Sequence, residues 1–269
     1  MGADALALAL GAAVLHALWN LLLARARNVE AATAVMLGIS AVMFAPVAAF
    51  TWDVEAAVWP YVLASASLEL TYFALLAYAY STAALSVVYP ISRGAAPVLV
   101  LLVTIAAVSW REAAGVLVVA AGVVLVRGLR NPDRRGTLLG LALAICIAGY
   151  TVLDDRGIRH ADAFSYFELV IACPGLVYLA WVVRKHGAAA VRSELTPTTA
   201  VAGVAAGLAY VFILLALRLD DAAPVAAVRE TSVVIAVGLA ALFLRERVGP
   251  GRMLGAVLVV AGIALLGLG

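Results

Sequence analysis

Apolar residues run almost without interruption along this chain, broken at intervals by short charged or turn-forming clusters. Cutting at those clusters leaves ten apolar segments, at 4–24, 31–50, 59–80, 84–108, 112–128, 137–153, 163–183, 198–217, 222–244 and 250–268. Each is close to the roughly 20 residues that an α-helix needs to cross a hydrocarbon core of about 30 Å. The runs are continuous rather than alternating, which predicts helices, because the strands of a membrane barrel read as shorter segments of period two. The connections between runs are short, so no soluble domain is inserted. The pattern predicts an all-α membrane protein of ten transmembrane helices.

Composition sharpens this reading. The chain is 66% hydrophobic and 13% charged, whereas a soluble domain is about half apolar and about a quarter charged. A larger core does not absorb that difference, because a soluble protein still needs a polar surface; the surrounding solvent is lipid. The net charge of +2 comes without a basic stripe, so no nucleic-acid partner is expected. The first apolar run has no basic residues ahead of it, meets its first charge at Asp4, and is longer than the apolar core of a signal peptide. It reads as a retained first helix.

The most polar interior connection, "RGLRNPDRRG" (Arg127–Gly136), divides the chain into halves of five helices, 1–130 and 137–269, joined by a linker at 131–136. The halves echo one another. "GVLVVAAGVVLV" (Gly115–Val126) matches "GAVLVVAGIALL" (Gly255–Leu266) with both glycines in register, and the fourth helix of each half carries an intramembrane arginine, Arg93 or Arg229. Five is odd, so the second half enters the membrane from the opposite side. The expectation is two inverted five-helix repeats, an architecture common among secondary transporters.

The Lys/Arg bias gives the orientation. Of the 18 basic residues, Arg25, Arg27, Arg127, Arg130, Arg134, Arg135, Arg184, Lys185, Arg192, Arg245, Arg247 and Arg252 fall on one side, and Arg111, Arg156, Arg159 and Arg218 on the other. The first set is expected in the cytoplasm, with the linker, and both termini outside.

Charged groups at membrane depth cost about 2.5–3.5 kcal/mol each on insertion scales, so each calls for a partner or a wet cavity. Glu69, Arg93, Glu168, Arg229 and Glu230 lie within predicted helices, Glu168 close to a helix end. They suit a midplane site with ion pairs that substrate or protons break, or permanent pairs that fix packing. Arg93 stands between Pro90 and Pro97. Each proline removes a backbone N–H, which frees the carbonyls of Ser86 and Arg93, and Gly94 lies in the same turn. That predicts a helix kink beside a cation, with Glu69 as the suspected partner of Arg93. Pro224 reads more simply, as a first-turn proline.

"LHALWN" places His16 and Asn20 on one helix face beside Trp19, and histidine is the side chain that titrates near neutral pH. The matching positions of the sixth helix hold Tyr150 and Thr151. Tyr72 lies three residues from Glu69, and Tyr89 four from Arg93, each on its neighbour's face. Tyr78 and Tyr80 read as interfacial belt residues. The glycine series 115–122 and 251–255–262 predict close helix approach, within a monomer or across a homodimer. Cys146 and Cys173 lie in apolar runs without motif spacing. His16, His160 and His186 are far apart, so no metal site, cofactor site or catalytic cluster is expected.

With these residues in view, the chain resembles the EamA-like members of the drug/metabolite transporter superfamily over nearly its whole length. The resemblance is carried by "LHALWN", "YPISRGAAPVL" and "LRERVGPGRMLGAVLVVAGIALL", the last with Glu246 as the acid of a turn before a glycine-spaced helix. In the first repeat "VSWREAAGVLVV" shortens that turn by about four residues, which leaves Glu112 without a secure correspondence to Glu246. The resemblance implies an exporter of amino acids, other metabolites or drugs, with a central cavity and alternating access, embedded in the cell (inner) membrane. Proton coupling through Glu69 or His16 is compatible with it. A non-transporting scaffold or a channel is the alternative, with a membrane-embedded enzyme ranked behind them.

Overall fold

A computed structural model describes residues 1–83, 85–127, 134–235, 238 and 249–267. The described residues are helical almost throughout. The helices are α1 (Ala3–Leu23), α2 (Val29–Phe50), α3 (Trp59–Thr82), α4 (Leu85–Thr104), α5 (Trp110–Arg127), α6 (Arg134–Gly157), α7 (Ala163–His186), the short α8 (Ala188–Ser193), α9 (Pro197–Leu219), α10 (Ala222–Arg229) and α11 (Pro250–Gly267). Two 3₁₀ turns, Ala56–Val58 and Ile158–His160, precede α3 and α7.

Local chemistry sets the helix starts. Asn28 caps α2 by accepting from the Ala31 N–H at 3.0 Å, and Asp162 caps α7 through Phe164 and Ser165. Thr196 caps α9, with Pro197 as its first residue, where the missing N–H costs nothing. Ser109 and Glu112 form a reciprocal capping box on α5: the Ser109 N–H donates to the carboxylate at 2.9 Å, and the Glu112 N–H donates to the Ser109 hydroxyl at 3.3 Å. Glu112 therefore caps a helix and faces the Met1 ammonium at 3.5 Å. At the end of α7 the chain turns on Gly187, whose φ of +81° suits glycine.

Among the described residues, seven helices (α1, α2, α4, α6, α7, α9 and α11) are long and apolar enough to cross a membrane. The ten expected spans differ from this count for physical reasons. Ser65, Ser67, Glu69 and Thr71 dilute the apolar character of α3, and α5 carries charges at both ends. The ninth expected span breaks at the Arg229–Glu230 junction: α10 ends there, and residues 231–235 resume as helix. Residues 239–248, which include Glu246, lie outside the described residues, as do 128–130 at the end of the first half, 131–133 of the linker and the side chain of Tyr80. Arg134–Gly136 of the expected linker already belong to α6, and Pro224 stands in the third position of α10 rather than the first.

The packing exchanges partners between the halves. Setting the short α8 aside, the expected repeat matches α1, α2, α3, α4 and α5 in chain order with α6, α7, α9, α10 and α11. α1 packs on α9 as α6 packs on α3; α2 packs on α9 as α7 packs on α3; α6 packs on α4 as α1 packs on α10. α2 packs on α7, and α5 on α11. The two glycine series meet in that last pair. A Cβ on Gly122 would lie 2.7 Å from the Gly255 carbonyl oxygen, and one on Gly262 would lie 2.8 Å from that of Gly115. The seam is thus used within one chain. Large apolar side chains such as Val42, Leu63, Leu102, Ile145, Leu176 and Val260 point outward, as expected of a surface bathed in lipid.

Candidate functional site: a central cavity between the halves

A cavity of about 430 Å³ lies between the halves, lined by α1, α2, α3, α4, α6, α7, α9 and the end of α10. It reaches one end of the bundle at Arg27, Asn28 and Glu30. There Lys185 and His186, at the end of α7, meet the Glu30 carboxylate at 2.9 and 2.5 Å. The opposite end is sealed. Val54 and Ala161 form an antiparallel bridge, the Glu55 N–H donates to the His160 carbonyl, and the Asp162 N–H donates to the Asp53 carbonyl. Arg218 donates to the carbonyls of Ile158 and Ala161 at 3.1 and 2.6 Å, and the Gly2 N–H donates to Asp220 at 2.7 Å.

Two guanidinium groups and two carboxylates dominate the middle. Arg93, only 5% exposed, holds Nη1 3.5 Å from Glu230 Oε1, and Arg229 Nε lies 3.6 Å from the same oxygen. Glu230 is fully buried behind the cavity wall, so one carboxylate serves two cations. Neither of its oxygens, nor Nε and Nη2 of Arg229, makes a hydrogen bond of normal geometry among the described residues. Ionic attraction without directional bonding leaves these groups ready to bond elsewhere. Arg93 also sits 5.7 Å over the Tyr89 ring, and Arg229 sits 6.0 Å over that of Tyr150. Arg93 Nη2 approaches His16 Nε2 at 3.3 Å. Arginine has no acceptor, so in this contact His16 Nε2 is the accepting atom. The Asn20 amide donates to the His16 carbonyl, and Trp19 meets the His16 ring edge to face.

Most of the residues singled out in the sequence line this space: His16, Trp19, Asn20, Glu69, Tyr72, Tyr89, Arg93, Tyr150 and Arg229. Glu230 stands just behind them. The suspected pairing of Arg93 with Glu69 is corrected, because the acid within 4 Å of Arg93 is Glu230, and among the described residues Glu69 forms no ion pair. α4 runs unbroken through Pro90 and Pro97. Gly94 serves packing, since a Cβ there would lie 2.6 Å from Val124 of α5. Thr151 turns away from the cavity and donates to the Ile147 carbonyl. Glu168 is half-buried in the second turn of α7, outside the cavity. Tyr78 accepts from Arg135 at an exposed helix end, as a belt residue would.

The comparisons with known proteins fit this geometry. Residues 134–268, which take in α6 to α11, match the EamA-like transporter family. The chain belongs to the EamA-like transporter family. Family and architecture together make this EamA-like chain a multi-pass membrane protein of the drug/metabolite transporter type. No curated protein matches it. Among 17 matching chains of solved structures, one titled "Crystal structure of protein" superposes with a TM-score of 0.82 at 15% identity, covering 100% of this chain and 98% of that one. That likeness bears on the fold alone.

Three further polar groups of the EamA-like chain escaped the sequence reading. Tyr178 and Tyr210 line the cavity. Asp154 lies behind Tyr210, 1% exposed, on the last full turn of α6. In the sequence "LDDRG" reads as a charged loop closing the sixth helix, which hid Asp154; Asp155 beside it is itself only partly exposed and pairs with Arg159.

Proposed function

We propose that this chain is a secondary carrier of two inverted five-helix repeats that moves a small metabolite, amino acid or drug outward by alternating access. One observation carries the reading: a central cavity, built by both halves and holding Arg93 and Arg229 over a shared buried acid, reaches one end of the bundle while the other end is sealed. A channel in its conducting state would be open at both ends. The exchange of packing partners between the halves supports the repeat, and an odd number of helices per half makes it inverted. On the Lys/Arg bias the open end, beside Arg27 and Lys185, faces the cytoplasm of the cell membrane, so the conformation described is the inward-open one. Two cations on one acid suit a carboxylate on the substrate; Glu69, across the cavity, suits a cationic group.

The test is flux in proteoliposomes across an amino-acid and metabolite panel, preceded by a thermal-shift screen, since a ligand of the folded state raises its stability by mass action. Saturable uptake with counterflow is expected. Arg93→Ala is expected to abolish it while membrane insertion persists, and wild-type flux in that variant removes Arg93 from the mechanism.

A further inference from the structure

Asp154 is a carboxylate inside the membrane with no cation within 4 Å among the described residues. Its compensation is a cage of hydroxyls. Ser65 Oγ donates to Oδ1 at 2.6 Å, Tyr166 Oη donates to Oδ1 at 3.0 Å, and Tyr210 Oη donates to Oδ2 at 2.7 Å. The donors come from α3, α7 and α9, and the acceptor from α6, so a single carboxylate ties four helices drawn from both halves. Its neighbours connect it in two directions. Tyr210 lines the cavity. Gly157, one turn beyond Asp154, carries the Tyr166 ring so closely that a Cβ there would lie 2.5 Å from it. Next come Ile158 and Ala161, whose carbonyls Arg218 holds at the sealed end.

We propose that Asp154 is a proton-binding site whose loading from the cavity through Tyr210 loosens the sealed end. The inference rests on the carrier reading and names its coupling group. A proton arriving from cavity water adds to Tyr210 Oη as that hydroxyl passes its own proton to Asp154 Oδ2. One O–H bond forms on the carboxyl, the phenol is restored, and one proton has left the water. The new carboxyl O–H then donates to Tyr210 Oη, whose hydrogen turns toward the cavity. Ser65 and Tyr166 are left bonded to a neutral carbonyl oxygen. Charge-assisted hydrogen bonds are roughly twice as strong as neutral ones, so protonation weakens the ties to α3 and α7 together. A proton suits this cage better than a metal ion, because the hydroxyl hydrogens already converge on both carboxylate oxygens.

The ionisable groups facing this cage are Tyr150 on α6, Glu69 on α3, Tyr166 on α7, Tyr210 on α9 and, across the cavity, Arg93 on α4 and Arg229 on α10. The sealed end has its own titratable groups, among them Asp53, Glu55, Asp155, His160, Asp162, Asp220 and Asp221. A pH response alone therefore does not identify Asp154, and the test compares variants.

Hydrogen exchange of the full chain in nanodiscs, corrected for intrinsic rates, reads the Glu55 and Asp162 amides that bond across the seal. In the wild type their protection is expected to fall as pH is lowered. Asp154→Asn does not titrate and is expected to lose that response. Tyr210→Phe removes one donor to the charged form and is expected to move its midpoint to higher pH, which keeps the test available where Asp154→Asn fails to fold. An unchanged response in Asp154→Asn, or an unchanged midpoint in Tyr210→Phe, overturns the proposal. Because exchange needs no transported compound, failure of the carrier reading shows separately, as absence of counterflow in the wild type.

Discussion

Glu230 is the residue whose loss the structure prices most clearly. Its side chain is fully buried, and its Oε1 lies 3.5 Å from Arg93 and 3.6 Å from Arg229. At an effective dielectric of about 20 each contact is worth roughly 5 kcal/mol of gross attraction, much of it offset by the desolvation of three charged groups. Glu230→Gln keeps the shape, removes the charge, and leaves two cations facing one another in a low-dielectric wall. Removal of one member of a buried pair costs about 3–5 kcal/mol. At roughly 2–4 °C per kcal/mol for a chain near this size, the melting temperature in detergent is expected to fall on the order of 10 °C. The cycle with Arg93→Ala supplies the decisive sign. In the wild type Arg93→Ala destabilises; in the Glu230→Gln background it is expected to restore stability, because it removes an uncompensated cation. Additive losses in the double variant would refute a shared-acid triad and return Arg93 and Arg229 to independent roles.

Gly122→Leu forces a side chain where a Cβ already meets backbone at 2.7 Å; separation of α5 from α11 is expected to cost at least about 1–3 kcal/mol, read as a lower melting temperature. Gly157→Ala pushes on the Tyr166 ring at 2.5 Å, and faster hydrogen exchange across the seal is the expected readout. Cys173 is exposed toward lipid on α7 and Cys146 buried on α6; the thiolate is the reactive form and an apolar surround disfavours it, so neither is expected to react with a water-soluble maleimide until the chain is unfolded, and mass spectrometry of the labelled peptides checks this. Arg218→Ala leaves the carbonyls of Ile158 and Ala161 without that donor and is expected to raise deuterium uptake at Glu55 and Asp162.

Helix existence was legible in the sequence because lipid demands long apolar runs with internally satisfied backbones. The third run, read as 59–80, is α3 at Trp59–Thr82. Cutting at charges failed where a charge belongs inside: the sixth run was stopped at 153, whereas α6 continues to Gly157, and Asp154 disappeared into a supposed loop. The cavity residues were legible one at a time, since Arg93 and Glu69 are costly at membrane depth whatever they face. Their partners were not. Which helices adjoin is decided by packing of small residues such as Gly140 on α4 and Gly203 on α2, and helical spacing says nothing about another helix. Glu230, adjacent in sequence to Arg229, proved to serve Arg93 as well.

The glycine seam between α5 and α11 has a mechanical meaning. Where two backbones lie too close to admit a Cβ, as at Gly122 and Gly255, sliding by even a fraction of a turn drives side chains into main chain. In the proposed alternating-access cycle this pair would serve as an axle rather than a bearing surface. Displacement is then expected to be smallest here and to grow toward Arg27 at one end of the bundle and Arg218 at the other. Labels for measuring the motion belong at those far ends, and the seam is the place for the fixed reference.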